Sequence, residues 1–341
     1  VEVESTGGSR QIINLTSGGS VILASGAMST PRILFNSGIG PADQITTVKN
    51  GCVSVTLPDE SEWIDLPVGQ NLKDHPIFSL TFNTTNATAS MLAANFTNPS
   101  QTNIDMFVSQ NGPLVQSGQR LNFWTSLNST NGTRYFQGTC SSAAAGTVRI
   151  KLYLTHGATS QGVLGITSDG ATEFTTSPWL TTDDDKQAVI TMIDSLLASA
   201  RNSSIMTPAD SAITGTSLVS TSTYTQGDHF VGTAIMGTSN DGTAVVDTDT
   251  KVYGTDNLFV VDASIHPDLP TGNTQAMVMV VAEQAAAKII AVGSNSTSTL
   301  IPSGSSNTTL AIGTSSSTTS SVTASATADL SSGDGEEDDC Y

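Results

Sequence analysis

Twice in this chain a short apolar run passes straight into a helix through a loop built from small or turn-forming residues. Val21–Leu23 leads through Ala24 and Gly26 into a segment whose helical start is marked by Ser29 and Thr30 as caps with Pro31 in the first turn. Gly38 and Gly40, before Pro41, mark its end. Residues 258–261 form the second run, followed by a loop holding Pro267 and Pro270 and then by 274–290. This last stretch is apolar on most sides and is expected to be a buried helix. A strand that ends in small residues beside a helix start lets a ligand approach the backbone where amides and the helix dipole favour negative charge.

The segments around and between these units read differently. Residues 1–27 give two short strands joined by a Gly/Ser turn before the apolar run. From about 78 to 180 short alternating stretches such as 148–154 are punctuated by Asn, Gly, Ser and Thr, as in an antiparallel sheet. Residues 183–200 read as a helix, with Asp183, Asp184 and Asp185 at its positive end and Val189, Ile193, Leu197 and Ala200 on one stripe. The acidic run reads as a solvated helix start and not as a calcium loop. After about residue 293 a Ser/Thr tract lacks the apolar side chains needed to offset ordering entropy, so a disordered tail or linker is expected.

Composition narrows the class. Thirty acidic residues against 12 basic ones give a net charge of -18, which repels phosphate backbones and anionic lipid and argues against nucleic-acid or membrane partners. Asn-X-Ser/Thr acceptors at Asn14, Asn83, Asn86, Asn95, Asn128, Asn131, Asn202, Asn295 and Asn307 point to a secreted glycoprotein. Three cysteines, Cys52, Cys140 and Cys340, are too few and too scattered for a disulfide framework or a zinc site. His156 and His266 have no partners at ligand spacing, so no metal is expected.

Three segments carry chemistry. The first runs from Ala24 to Pro41 and contains Gly26-Ala27, Ser29-Thr30-Pro31 and Ser37-Gly38-Ile39-Gly40; the second is Val68-Gly69-Gln70-Asn71-Leu72-Lys73-Asp74-His75. The third begins at Asp228-His229 and continues through Asp262-Ala263 to Thr271-Gly272-Asn273-Thr274-Gln275. Together they resemble the signatures of glucose-methanol-choline (GMC) oxidoreductases over residues 1 to 290. In wording they are nearest to the flavin domain of fungal cellobiose dehydrogenases.

The resemblance implies an α+β flavoprotein: a GMC-type FAD-binding α/β domain with an antiparallel-sheet substrate domain. Residues 1–77 and 228–292 would belong to the former, 78–227 to the latter, and 293–341 to the tail. FAD is the implied cofactor, with Ala24, Gly26, Asp262, Ala263, Thr274 and Gln275 near it. His229 is implied as the base for an alcohol or sugar hydroxyl and Asn273 as the amide that orients the same oxygen. Asp74 and His75 are read mainly as architecture, because adjacent side chains of an extended segment point apart.

A haem domain, a quinone or oxygen would take the electrons, a dehydrogenase being preferred to an oxidase. The Gly-x-Gly-x-x-Gly fingerprint does not occur in the sequence. The chain is therefore expected to be the carboxyl-terminal part of such an enzyme, its FAD domain incomplete at the amino-terminal Rossmann end, binding FAD weakly and inactive alone. Thr274 stands in place of the family's usual Pro, and Gly227-Asp228 in place of polar sugar-binding residues. An aryl-alcohol or glucose oxidase-like enzyme, or an inactive carbohydrate-associated glycoprotein, are the alternatives.

Overall fold

The computed structural model describes residues 1–4, 8–85, 98–115, 119, 121–129, 131–141, 144 and 146–294. The Ser/Thr tail from 295 onward and the acceptors Asn86, Asn95, Asn295 and Asn307 lie outside the described residues. In chain order the elements are β1 (Glu2–Glu4), β2 (Arg10–Ile12), β3 (Val21–Leu23), α1 (Gly26–Phe35), α2 (Ala42–Asn50), β4 (Ile77–Thr84), α3 (Gln101–Val108), β5 (Leu121–Ser129), β6 (Gly132–Ser141) and β7 (Thr147–His156). There follow β8 (Val163–Ile166), β9 (Thr172–Thr176), α4 (Asp183–Arg201), β10 (Met206–Pro208), α5 (Gly215–Ser220), β11 (Leu258–Val260) and α6 (Gln275–Ser294).

The middle of the chain forms a five-stranded antiparallel sheet in the order β10-β4-β7-β6-β5. Alternation along β4 turns Phe78, Leu80 and Phe82 inward, where they join Phe136, Leu152 and Leu154 in one core. The α4 stripe Val189, Ile193 and Leu197 completes this core. Thr182 caps α4 by accepting the Asp185 amide. Asp185 departs from the expected solvated helix start: it is buried, and its carboxylate accepts from Arg134 Nε at 2.8 Å and from the Ser160 amide at 2.7 Å. A buried carboxylate persists only when its lone pairs are filled in this way.

The second core joins residues 34–68 to 234–265, with Ile166 of β8 between them. β3 and β11 pair in parallel, Val21 opposite Leu258 and Leu23 opposite Val260, and α1 and α2 pack Leu34, Phe35 and Val48 against Val245, Val246, Val252 and Val260. α2 is not apparent in the sequence because Thr46 and Thr47 are poor helix formers. Burial of Ile45 and Val48 on one face and the back-bonds of both threonine hydroxyls to the previous turn accompany it.

Helix α1 begins earlier than its sequence signals suggest. It starts at Gly26, so Pro31 lies inside it. The cap is supplied from far away in sequence: Asp262 Oδ2 accepts the Gly26 amide at 2.9 Å and the Thr30 hydroxyl at 2.6 Å. Proline has no N–H for the carbonyl four residues back. That carbonyl, of Ala27, accepts the Thr233 hydroxyl at 2.7 Å instead. Helix α6 departs from the expected burial as well. Among its described side chains only Ala285 is fully buried, and Met279 and Val280 are 61% and 65% exposed. No helix among the described residues is long and apolar enough to cross a membrane.

Candidate active site

Parallel pairing of β3 with β11 brings their carboxyl ends side by side, delivering Ala24 and Gly26 to the same place as Asp262 and Ala263. Asp262 is fully engaged there. Its Oδ2 serves Gly26 and Thr30, and its Oδ1 accepts the Ser264 amide at 2.8 Å and hydroxyl at 2.5 Å. Its role in the structure is to fasten the start of α1 to the end of β11. Ala24 is exposed, and Gly26 has a φ of +82° with open space where a Cβ would project. The joined strand ends therefore present an uncovered backbone edge.

His229 is placed by the segment before β4. Lys73 pairs with Val231, and Ile77 with Thr225, in antiparallel fashion, so Asp74 and His75 lie opposite 227–229. Asp74 Oδ1 accepts the His229 amide at 2.8 Å, while Oδ2 accepts the Gly227 amide at 2.8 Å and Trp179 Nε1 at 3.0 Å. His75 is completely buried and its Nδ1 stands 2.9 Å from His229 Nδ1. Gly227 is required at this crossing. A Cβ there would fall 2.8 Å from the His75 carbonyl oxygen and 3.1 Å from His229 Nδ1, which leaves no room for the polar side chain that the resemblance led one to expect.

Asn273, 44 residues further along, comes to the other side of the same ring. Its Nδ2 is 2.8 Å from His229 Nε2, and its Oδ1 accepts the amide of Gln275, the first residue of α6, at 3.0 Å. Thr274 and Gln275 thus stand at the amino end of α6 beside the His229–Asn273 pair. The pair opens on a cavity of about 260 Å³ lined by polar groups, among them Gln137, Thr139, Lys151 and Asp228.

Burial works against charge on both imidazoles. Burial lowers the His229 pKa below the ordinary 6.5, against the opposing pull of the Asp74 and Asp228 charges. Burial, helped by the neighbouring His229, lowers His75 to about 4. Burial raises the Asp74 carboxyl, although the amides of His229 and Gly227 and the Trp179 indole work in the other direction. A neutral imidazole with a lone pair facing a polar cavity can accept a proton from a hydroxyl.

Residues 1–77 match the amino-terminal sequence model of the family described as GMC oxidoreductase, and residues 158–282 match its carboxyl-terminal model; together these cover more than half of the chain. The chain is a GMC oxidoreductase. It is similar to the dehydrogenase pkfF of Emericella nidulans, 29% identical over 309 residues, 78% of this chain and 48% of that protein. To the chloroplastic fatty acid photodecarboxylase of Chlamydomonas reinhardtii it is 28% identical over 327 residues, 82% of this chain and 51% of that protein. The chain spans about half the length of these curated relatives. Among solved structures, formate oxidase of Aspergillus oryzae superposes with a TM-score of 0.70 at 18% identity, over 86% of this chain and 57% of that one. A fungal aryl-alcohol oxidase superposes with a TM-score of 0.65 at 20% identity, over 85% and 57%. At such identities the likeness is one of fold.

Three expectations are corrected by these matches. The chain is not confined to the carboxyl-terminal part of a GMC oxidoreductase, because residues 1–77 match the amino-terminal model. The view of its α+β fold as lacking the amino-terminal Rossmann element is withdrawn with it. A glycine fingerprint is one turn of such a domain and a poor marker for the whole; β3, α1 and 66–77, joined to β11 and to 225–231, lie in the matched region. Nearness to fungal cellobiose dehydrogenase is also unsupported, since the two models identify the GMC family as such and the relatives range from dehydrogenase to photodecarboxylase.

FAD is the cofactor of this GMC oxidoreductase. The residues present suit a dinucleotide: an open Gly26 at parallel strand ends allows close backbone approach, and the amino end of α6 favours an electron-rich group. Sequence reasoning read Asp74 and His75 mainly as architecture; in the structure His75 holds the ring of His229 and Asp74 its backbone amide. The available signal was the bare fact of a histidine after Lys73 and Asp74 in an extended segment, which carries no information about a partner 154 residues away.

Proposed function

We propose that this GMC oxidoreductase oxidises the CH–OH group of a small polar alcohol, a sugar hydroxyl being the form that suits its cavity best. The observation that carries the proposal is the meeting of His229 Nε2 and Asn273 Nδ2, 2.8 Å apart, at the mouth of that cavity. His229 Nε2 takes the hydroxyl proton, and the Asn273 amide donates to the oxygen as negative charge develops on it. Desolvation lowers the His229 pKa from the ordinary 6.5, which favours the unprotonated ring that a base requires. Bound FAD supplies the two-electron acceptor for the hydride that leaves the carbinol carbon.

Ala24, Gly26 and Ala263 at the strand ends, with Asp262 fastening them, and Thr274 and Gln275 at the start of α6 are the residues we assign to holding it. Gln137, Lys151 and the buried Thr139 hydroxyl, which has no partner among the described residues, offer hydrogen bonds to a polyhydroxylated substrate. We take the enzyme as a dehydrogenase, the name that pkfF and eriK of Hericium erinaceus carry, with an oxidase, as in the superposed formate and aryl-alcohol oxidases, as the alternative. Exposure of the acceptors Asn14, Asn83, Asn128, Asn131 and Asn202 supports a secreted glycoprotein. The test is turnover of sugars, aliphatic polyols and benzylic alcohols by FAD-loaded protein with a dye acceptor. Sugar oxidation that slows several-fold on deuteration of the carbinol carbon is expected. Oxidation of benzylic alcohols alone would overturn the substrate class, and no alcohol oxidation at full flavin occupancy would overturn the reaction.

A further inference from the structure

Five groups form one unbroken hydrogen-bonded row through the base. The Thr155 carbonyl lies 2.8 Å from His75 Nε2, His75 Nδ1 lies 2.9 Å from His229 Nδ1, His229 Nε2 lies 2.8 Å from Asn273 Nδ2, and Asn273 Oδ1 lies 3.0 Å from the Gln275 amide. Both ends have a fixed sense. A carbonyl only accepts, and a backbone N–H only donates.

Read from Thr155, His75 must carry its proton on Nε2, which leaves Nδ1 of the neutral ring as an acceptor. His229 must then donate from Nδ1, so Nε2 carries the lone pair. Starting instead from Gln275, Asn273 accepts with Oδ1 and turns Nδ2 toward His229, which again makes His229 Nε2 the acceptor. The two readings agree at one atom. With the other His75 tautomer, a bare Nε2 would face the Thr155 carbonyl, lone pair against lone pair, in a fully buried position.

We infer that His75 is a positioning residue that holds His229 in the Nδ1–H tautomer, presenting Nε2 to the substrate as an unprotonated base. The mechanism gains a buried, uncharged partner for the imidazolium that forms when His229 accepts a proton. Because burial disfavours charge on His75, the accepted proton stays on His229 and is not passed inward. This inference deepens the assignment of His229 as base and rests on it for its kinetic consequence. The tautomer itself can be read without turnover, so the two can fail separately.

The experiment is long-range proton–nitrogen correlation NMR on the full chain labelled with nitrogen-15 at its four histidines, assigned by single substitutions and recorded near pH 8. The wild-type protein is expected to show His229 as Nδ1–H and His75 as Nε2–H. His75→Leu removes the acceptor. His75→Asn keeps one, because its Oδ1 can occupy the place of Nδ1, and both variants lose the bond to Thr155. The Leu variant is expected to show His229 redistributed toward Nε2–H, with kcat down about tenfold and KM little changed; the Asn variant is expected to retain the wild-type tautomer and most of kcat. Wild-type His229 found as Nε2–H, or a His229 tautomer that is the same in the Leu variant as in wild type, would overturn the inference. So would Asn and Leu variants that lose kcat equally, since that would mark His75 as filler.

Discussion

Asp74 and His229 are bonded through the main chain, the Asp74 Oδ1 accepting the His229 amide at 2.8 Å. The same carboxylate takes the Gly227 amide and the Trp179 indole N–H, so one buried side chain fixes the loop that carries the base and ties it to the segment between β9 and α4. Asp228 within this loop has a φ of +55°, a left-handed conformation that a non-glycine residue adopts only when its surroundings hold it.

Removing that anchor leaves three N–H groups without their acceptor. Asp74→Ala is therefore expected to lower the unfolding free energy by about 2–4 kcal/mol and to reduce kcat by loosening His229. Urea denaturation beside steady-state kinetics measures both, and an unchanged midpoint would refute the anchoring role.

A second expectation concerns the proline inside α1. Thr233→Val removes the hydroxyl that serves the Ala27 carbonyl and should cost about 1–2 kcal/mol. In a Pro31→Ala background, residue 31 regains an N–H for that carbonyl, so the same substitution should cost less. A double-mutant cycle by thermal unfolding reads the coupling; strictly additive costs would show that the hydroxyl does not compensate for the proline.

His75 also makes a statement about stability and pH. Its folded pKa of about 4 lies below the ordinary 6.5, so between these values the unfolded chain binds a proton that the folded chain refuses. Stability from this group is fully present above pH 6.5 and is lost as pH falls toward 4, by about 3 kcal/mol in all. The unfolding free energy of His75→Asn should consequently fall less steeply than that of wild type over this window. Parallel slopes would show that His75 is not held neutral.

Much of this architecture was legible from local pattern. The β3 and β11 runs, the alternation of β7 and the apolar stripe of α4 are short-range signals, and their elements stand where those signals put them. The start of α1 was not legible, because its cap is Asp262, 236 residues from Gly26. Nor was the exposure of α6, whose apolar residues say that a face can be buried and not that it is. Among site residues, His229 and Asn273 could be singled out through motif wording, and the structure brings them together. His75 stood out only as architecture, since its contact with the ring of His229 is one that no spacing encodes.

The central claim is that His229 Nε2 takes the proton from the substrate hydroxyl. Its most direct measurement is kcat/KM for alcohol oxidation by His229→Ala and wild type at matched flavin content. A general base of this kind predicts a loss of about 10²- to 10⁴-fold in the variant, and in wild type an acid limb that inflects below the ordinary histidine value of 6.5. Equal kcat/KM for the two proteins, with the acid limb unchanged, would contradict it.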